Sequence, residues 1–449
     1  SGTGTLDISG SASYSGTTTV NAGALKVDGS LSGSSAVTVN AATLEGIGTV
    51  NGPVSLTGSS TLRSLGTLTL AQGFSVSGSA NTLSTGTISG NATQNAASAF
   101  MVNGTLSGSD TLAAGASLSG TGSVGATTLN GTDDISSAAT LTVASLAVNG
   151  SGNTISSGTV NATAGTSLSN GSSLAVNGTL GGGAVTTGSG STLSGTGTIT
   201  SALTVSAGGV TSPGVGNKTG VMTTDLSYDG GAMANFNVAT TGSAGTPQAV
   251  KSGLFYSQMI VTGTAGQVNL GIGTGVSLQS QTTGQIQTSG NIGSSNSGVT
   301  LQLTLSTTDY ASLVSNASSN YNAKSSNSTL DNYFVFNLGT GLTAGRFETL
   351  ALDVNGTTTS GLIYYAGTND RFAADGVDNT IGDVYVTVNG TSQEFALSYT
   401  GNFADGANAT IGGHDIVLTA IPEPGTWGMI LGGFGMLIGF QRLRKRRTS

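Results

Sequence analysis

The chain contains no cysteine, one histidine, one tryptophan and five prolines in 449 residues. Without cysteine there is no disulfide, no thiolate metal site and no thiol nucleophile. The histidine, His414, lies beside Asp415 near the C-terminus and reads as a surface or strand-edge residue rather than a catalytic base. Charge is equally scarce: Asp, Glu, Lys and Arg make up 7 % of the chain, against about a quarter in ordinary globular proteins. The net charge is −8; five of the twelve cations and one of the twenty acids lie beyond Ile421, which leaves the body at −12. A body this acidic has no basic stripe, which excludes a nucleic-acid partner. A helical apolar stripe is also missing from the body.

In their place stand 74 glycines and short runs in which apolar residues alternate with Thr or Ser. Low charge with abundant Gly and Ser could signal disorder, but a mean hydropathy of +0.14 and period-two alternation point to strands instead. Examples are Val37-Thr38-Val39, Leu68-Thr69-Leu70, Leu141-Thr142-Val143 and Leu203-Thr204-Val205, bounded by Asn-Gly, Ser-Gly and Gly-Gly turns. Internal repetition is the strongest signal. Leu-x-Gly-x-Gly-Thr/Ser-Val/Ile occurs at Leu44–Val50, Leu118–Val124 and Leu193–Ile199, 74 and 75 residues apart. Val-Asn/Asp-Gly-Ser/Thr-Leu precedes each copy, at Val27–Leu31, Val102–Leu106 and Val176–Leu180. A further pair, Asn81–Ile88 and Asn153–Val160, matches at 72 residues.

Many short strands of this kind leave fewest open edges when each coil hydrogen-bonds to the next. The expected fold is all-β: a right-handed parallel β-helix of roughly 20 residues and about 4.8 Å per coil, then an aromatic-richer β cap and one C-terminal hydrophobic helix. Composition shifts near Pro213-Gly214: three aromatics precede residue 221, and seventeen lie in 221–420. The expected division is 1–212 repeat β-helix, 213–300 the same helix with wider coils, 301–420 irregular β cap, and 421–449 tail. Asn332–Leu338, Asp383–Val388 and Phe395–Tyr399 read as longer strands. Tyr310–Val314 reads as a short helix with Asp309 as its N-cap. Gly4–Gly10 followed by Tyr14–Leu25 resembles the autotransporter-associated, passenger-type β-strand repeat, as do Leu193–Ile199 with Ser212-Pro213-Gly214 and, more loosely, Tyr256–Gly263. The resemblance implies a passenger-type β-helix over about residues 1–270. The chain ends in a basic tail where that family has a translocating barrel.

The tail joins Pro422-Glu423-Pro424 to an apolar run, Trp427–Phe440, and then to Arg442, Arg444, Lys445, Arg446 and Arg447. Fourteen residues make about 21 Å of helix. Gly425, Thr426, Gln441 and snorkelling cations bring it to the lower limit of a membrane span, with Trp427 at one interface and the cations on the cytoplasmic side. Gly428/Gly432 and Gly435/Gly439 add two small-residue spacings of a helix-packing face. This order closely resembles the PEP-CTERM sorting signal of Gram-negative bacteria, with Pro422, Glu423, Pro424 and Trp427 as its sorting motif. The resemblance implies an exosortase partner, processing near the tripeptide, and an inner-membrane-anchored precursor. It further implies delivery to the surface of an exopolysaccharide-making cell, and a signal peptide preceding Ser1.

Few residues offer chemistry. Asp133-Asp134 reads as a solvated turn; in a strand the two would point to opposite faces. Asp370, Asp375, Asp378 and Asp383 are the densest acidic group and a Ca²⁺ candidate, although their order matches neither the EF-hand loop nor a Gly-Asp nonapeptide repeat. Gly120–Gly125 satisfies GxGxxG but no helix follows, so it reads as a turn. Residues 1–212 hold six acids (Asp7, Asp28, Glu45, Asp110, Asp133, Asp134) and two cations (Lys26, Arg63), widely scattered. A non-enzymatic surface, matrix or adhesin-like rod associated with exopolysaccharide, with no cofactor, is therefore favoured. The alternative is a lyase or glycosidase on a β-helix scaffold, which needs paired carboxylates, or Ca²⁺ carboxylates with a Lys or Arg base, on neighbouring coils.

Overall fold

The computed structural model describes residues 2–33, 35–169 and 171–214. Beyond them it describes the stretches 221–228, 233–239, 255–256, 258–261, 266–268, 278–279, 287–288, 300–315, 332–338, 342–344, 349–363, 381–401 and 415–421. Among the described residues the chain winds as a β-solenoid of about 11 turns with almost no helix. At about 4.8 Å per turn, the stack is of the order of 50 Å long.

Three parallel ladders form the walls. The first runs through Thr5–Ile8, Ala24–Val27, Thr43–Glu45 and the start of Thr61–Leu70. The second runs through Ser11–Ala12, Ser30–Leu31, Thr49–Val50 and the end of Thr61–Leu70. The third runs through Thr18–Val20, Val37–Asn40, Val54–Thr57 and Phe74–Val76. The alternation visible in the sequence sets the faces, because successive side chains in a strand point opposite ways. Leu25, Leu44 and Leu62 stack inward on the first ladder, Leu31, Val50 and Leu70 on the second, and Val39, Leu56 and Val76 on the third, all buried. Between them, Thr and Ser face outward.

The repeat motifs are corners. In Leu44-Glu45-Gly46-Ile47-Gly48-Thr49-Val50, Leu44 is the last inward residue of the first wall and Val50 the first of the second, with the two glycines between them. A Cβ on Gly46 would lie 2.1 Å from the Val27 carbonyl oxygen, and φ there is +127°. Gly120 meets the Val102 oxygen at 2.1 Å and Gly195 the Val176 oxygen at 2.0 Å. Only glycine allows this close approach. The second glycine of each copy (Gly48, Gly122, Gly197) donates its N–H to the same carbonyl at 2.8 Å. Val-Asn/Asp-Gly-Ser/Thr-Leu is therefore the same corner one coil earlier, lying directly against Leu-x-Gly-x-Gly.

Coil length is uneven: Leu118 stacks on Ile135, a short step along the chain, whereas Leu62 stacks on Leu83, a longer one. The path from Leu44 to Leu118 passes through four coils, so the repeat seen in sequence is a four-coil unit. Each unit carries a buried corner asparagine. Asn153 accepts the Asp133 N–H (3.2 Å) and donates to the Gly150 and Ser173 carbonyls (2.5 and 3.2 Å). Asn81 accepts the Ser60 N–H (3.2 Å) and donates to the Ser77 carbonyl (2.9 Å). The unit's Ser64 or Ser137 hydroxyl donates to the Gly46 or Gly120 carbonyl (2.7 and 2.8 Å).

Past Pro213 parallel pairing continues, with Leu203 beside Leu226, Ala234 beside Leu301, and Leu301 beside Leu350. It then gives way to antiparallel pairs: Thr349–Val354 with Thr357–Leu362, Ile381–Val388 with Thr391–Gly401, and the latter with Asp415–Ile421. The expected strands Asn332–Leu338 and those around Asp383–Val388 and Phe395–Tyr399 are present. The short helix spans Thr307–Ser315. Its cap is Ser306, not Asp309: the Ser306 hydroxyl accepts the Asp309 N–H (3.1 Å), as an N-cap side chain does, and donates to the Asp309 carboxylate (2.6 Å). No helix among the described residues is long and apolar enough to cross a membrane. The run Trp427–Phe440, with the rest of 422–449, lies outside them.

Candidate functional site

Five of the eight charged side chains of the segment 1–212 come together in space. Asp7, Lys26, Glu45 and Arg63 follow one another at one-coil steps, and each is the ladder partner of the next. They form one outward column on the first wall, between the inward leucines. Lys26 Nζ lies 3.1 Å from Asp7 and 2.5 Å from Asp28, and Arg63 Nε pairs with Glu45. Beside the column runs a groove of about 460 Å³ that includes Asp28, Ile47 and Leu65 in its lining. Ile47 is 56 % exposed and Leu65 fully exposed.

This groove has carboxylates and cations on neighbouring coils, as the enzyme reading requires, but no aromatic in its lining. The hydrogen bonds from Asp28 and then Asp7 raise the proton affinity of Lys26 above that of a free lysine. A lysine general base needs the opposite shift. The arrangement suits ionic docking rather than proton abstraction.

The remaining three acids part company. Asp133 and Asp134 do point apart, but they are not a solvated turn. Asp133 is fully buried, and its carboxylate accepts the N–H groups of Asn130 (2.8 Å), Gly131 (3.1 Å) and Ala116 (3.1 Å). Burial pushes its pKa up, and those N–H bonds oppose the shift. Asp134 faces outward and accepts the hydroxyls of Thr154 (2.6 Å) and Ser156 (2.8 Å) on the next coil. Asp110 lies inside the solenoid at 0 % exposure, with Gln94 Nε2 donating to it at 2.7 Å. Desolvation first, countered by Gln94 and reinforced by Asp133, pushes its pKa up to about 7. Asp110 Oδ1 and Gln94 Oε1 have no protein partner. Nothing in Ser107-Gly108-Ser109-Asp110 marks this burial in the sequence.

Gly120 and Gly122 form a corner, as the turn reading expects. No group of three or more His, Asp or Glu suited to a metal occurs among the described residues. Of the Ca²⁺ candidates, Asp383 lies in a strand opposite Ala396; Asp370, Asp375 and Asp378 lie outside the described residues, as does His414. So do Pro422, Glu423, Pro424, Trp427 and the cluster Arg442, Arg444, Lys445, Arg446 and Arg447.

Fold and surface together define a repetitive β-solenoid scaffold with hydroxyl-covered walls and a charged groove. Residues 1–27 match the family described as Passenger-associated-transport-repeat, and residues 420–447 match the PEP-CTERM protein-sorting motif. The chain thus joins passenger-type β-helix repeats to a PEP-CTERM sorting signal, the signal for exosortase processing and for export to the envelope or cell surface. No curated protein and no solved structure matches it.

Proposed function

We propose that this protein is a non-enzymatic structural rod of the bacterial surface or extracellular matrix, adhesin-like and associated with exopolysaccharide. Before processing, Trp427–Phe440 crosses the inner membrane as a helix with the Arg/Lys cluster on its cytoplasmic side. The exosortase acts near Pro422-Glu423-Pro424 and releases a right-handed solenoid, the hand that parallel crossovers take in almost all folds. Residues 213–300 extend it with wider coils, and 301–420 close its core against solvent, as terminal units of solenoids must.

The observation that carries this reading is the sorting motif at 420–447, placed behind a long repetitive scaffold. The walls support it. One outward column of the third ladder reads Thr19, Thr38, Ser55, Ser75, Thr93 and Thr111, in register from coil to coil. Uncharged hydroxyls at a repeat of about 4.8 Å can hydrogen-bond a polysaccharide laid along the rod, and they offer no proton-transfer chemistry. The test is expression with and without Pro422–Arg447 in a host carrying an exosortase. The full chain should shorten and reach the surface while the truncated chain keeps its size and stays behind. Equal processing and location of the two would refute the sorting role.

A further inference from the structure

We propose that the charged column of the first four coils is a self-complementary surface through which two copies of this chain pair side by side, with their rods antiparallel. Along the axis the column reads Asp7, Lys26, Glu45, Arg63, that is minus, plus, minus, plus, with one row per coil. A twofold axis lying in the plane of the interface, at right angles to the rod and level with the gap between the Lys26 and Glu45 rows, reverses this order in the second copy. Asp7 then faces Arg63 of the second copy, and Lys26 faces its Glu45; by symmetry the other two rows do the same. Every row meets the opposite sign, which is what an isologous interface requires. A parallel pairing in the same register sets like charges together in all four rows.

The chain supplies its own control. The four-coil units share their core and corner residues, yet the outward positions change. Lys26 corresponds to Met101 and Ala175, Glu45 to Ser119 and Ser194, and Arg63 to Ser136. The apolar positions follow suit: Ile47 corresponds to Thr121 and Thr196, and Leu65 to Ala138. Coil geometry is thus satisfied by uncharged residues at every one of these places. The charges contribute little to folding either, because exposed ion pairs are worth about 0–1 kcal/mol. Side-chain exposure is 45 % at Asp7, 36 % at Lys26 and 55 % at Arg63, with Glu45 at 13 % beneath Arg63. Ile47 and Leu65, both exposed, give the pair an apolar contact beside the ionic rows. Four rows span only about 14 Å at one coil spacing apiece, so the association belongs to the weak, salt-sensitive class.

Sedimentation velocity of the full chain in mild detergent, over a concentration series, tests this with charge reversals. Lys26→Glu places like charges opposite each other in both middle rows of a homodimer, and so does Glu45→Lys. Each single variant should lose at least about tenfold in self-association. Mixed in equal amounts, the two variants meet opposite charges in all four rows and should form a heterodimer as tight as the wild-type pair. The double variant Lys26→Glu/Glu45→Lys also keeps every row opposed in sign and should dimerise; if a single variant fails to fold by circular dichroism, this one decides. Raising salt from about 0.05 M to about 0.5 M should weaken the wild-type pair. A wild-type chain that stays monomeric throughout overturns the proposal. So do single variants that pair as tightly as wild type, or correctly folded variants that gain nothing on mixing.

Discussion

Replacing Asp110 by Asn should stabilise the solenoid, and only above the pH at which the aspartate wants to ionise. The carboxyl is completely buried, and its pKa moves from 3.8 to about 7. That is roughly three powers of ten in proton affinity, and at about 1.4 kcal/mol each it makes about 4 kcal/mol. The sign follows from linkage. Between the two values the folded chain holds a proton that the unfolded chain has released, so stability falls as pH rises from about 4 to about 7, then levels off. Asparagine has the same shape and never ionises. Its carbonyl can still accept from Gln94 Nε2, and its amide offers donors where the carboxylate has only acceptors. Urea titrations followed by circular dichroism should therefore show similar midpoints for the two proteins near pH 4. At about pH 8 the variant should lead by up to about 4 kcal/mol. Midpoints are the quantity to compare, since stacked coils need not unfold in one step. Asp133 is the charged neighbour; its own raised pKa acts in the same direction and accounts for any slope left in the variant. A wild-type midpoint that is flat from about pH 5 to 8, or a variant no more stable than wild type at the alkaline end, would refute the reasoning.

Three further substitutions probe the corners. Gly120→Ala forces a Cβ to 2.1 Å from the Val102 oxygen at φ +116° and should cost about 1–3 kcal/mol or more. Gly66→Ala, whose nearest neighbour is Ile47 Cγ2 at 3.3 Å, should stay within about 0.5 kcal/mol; equal melting temperatures for the two variants would count against corner sterics. Asn153→Ala leaves the Asp133 N–H and the Gly150 and Ser173 carbonyls without their bridge, at about 1–3 kcal/mol per buried group. Hydrogen exchange at the Asp133 amide should accelerate in that variant before the global midpoint is reached.

The walls were legible in the sequence because inward positions keep strict alternation and because corners of this sharpness admit only glycine. Leu44, Leu118 and Leu193 announce the repeat for that reason. What the repeat contains was not legible. Coil length changes from turn to turn, as the pairings of Leu118 with Ile135 and of Leu62 with Leu83 show, so the repeat spacing alone does not fix a whole number of turns per unit. The charged column, by contrast, was spaced for detection: Asp7, Lys26, Glu45 and Arg63 stand 19, 19 and 18 residues apart, one coil each. Comparing each with its counterpart in the next unit would have found it. Asp110 carried no signal at all, because an aspartate after Gly-Ser reads as a surface turn, and only its inward place on the third ladder buries it. Asp309 lost the cap to Ser306, one turn earlier; both residue types suit that role, and only the direction of the hydrogen bond decides between them.

The equivalence of corners every fourth coil has a genetic consequence. Leu44 and Leu118 occupy the same place, so excising residues 45–118 would join Leu44 to Ser119 without creating a new bend. The product would be a rod shorter by four coils, about 19 Å, with the sorting signal untouched. Misaligned recombination between these similar stretches would therefore yield shorter or longer proteins that still wind and still carry their address. Lineages could trade reach for economy of synthesis in fixed steps, without passing through a broken intermediate.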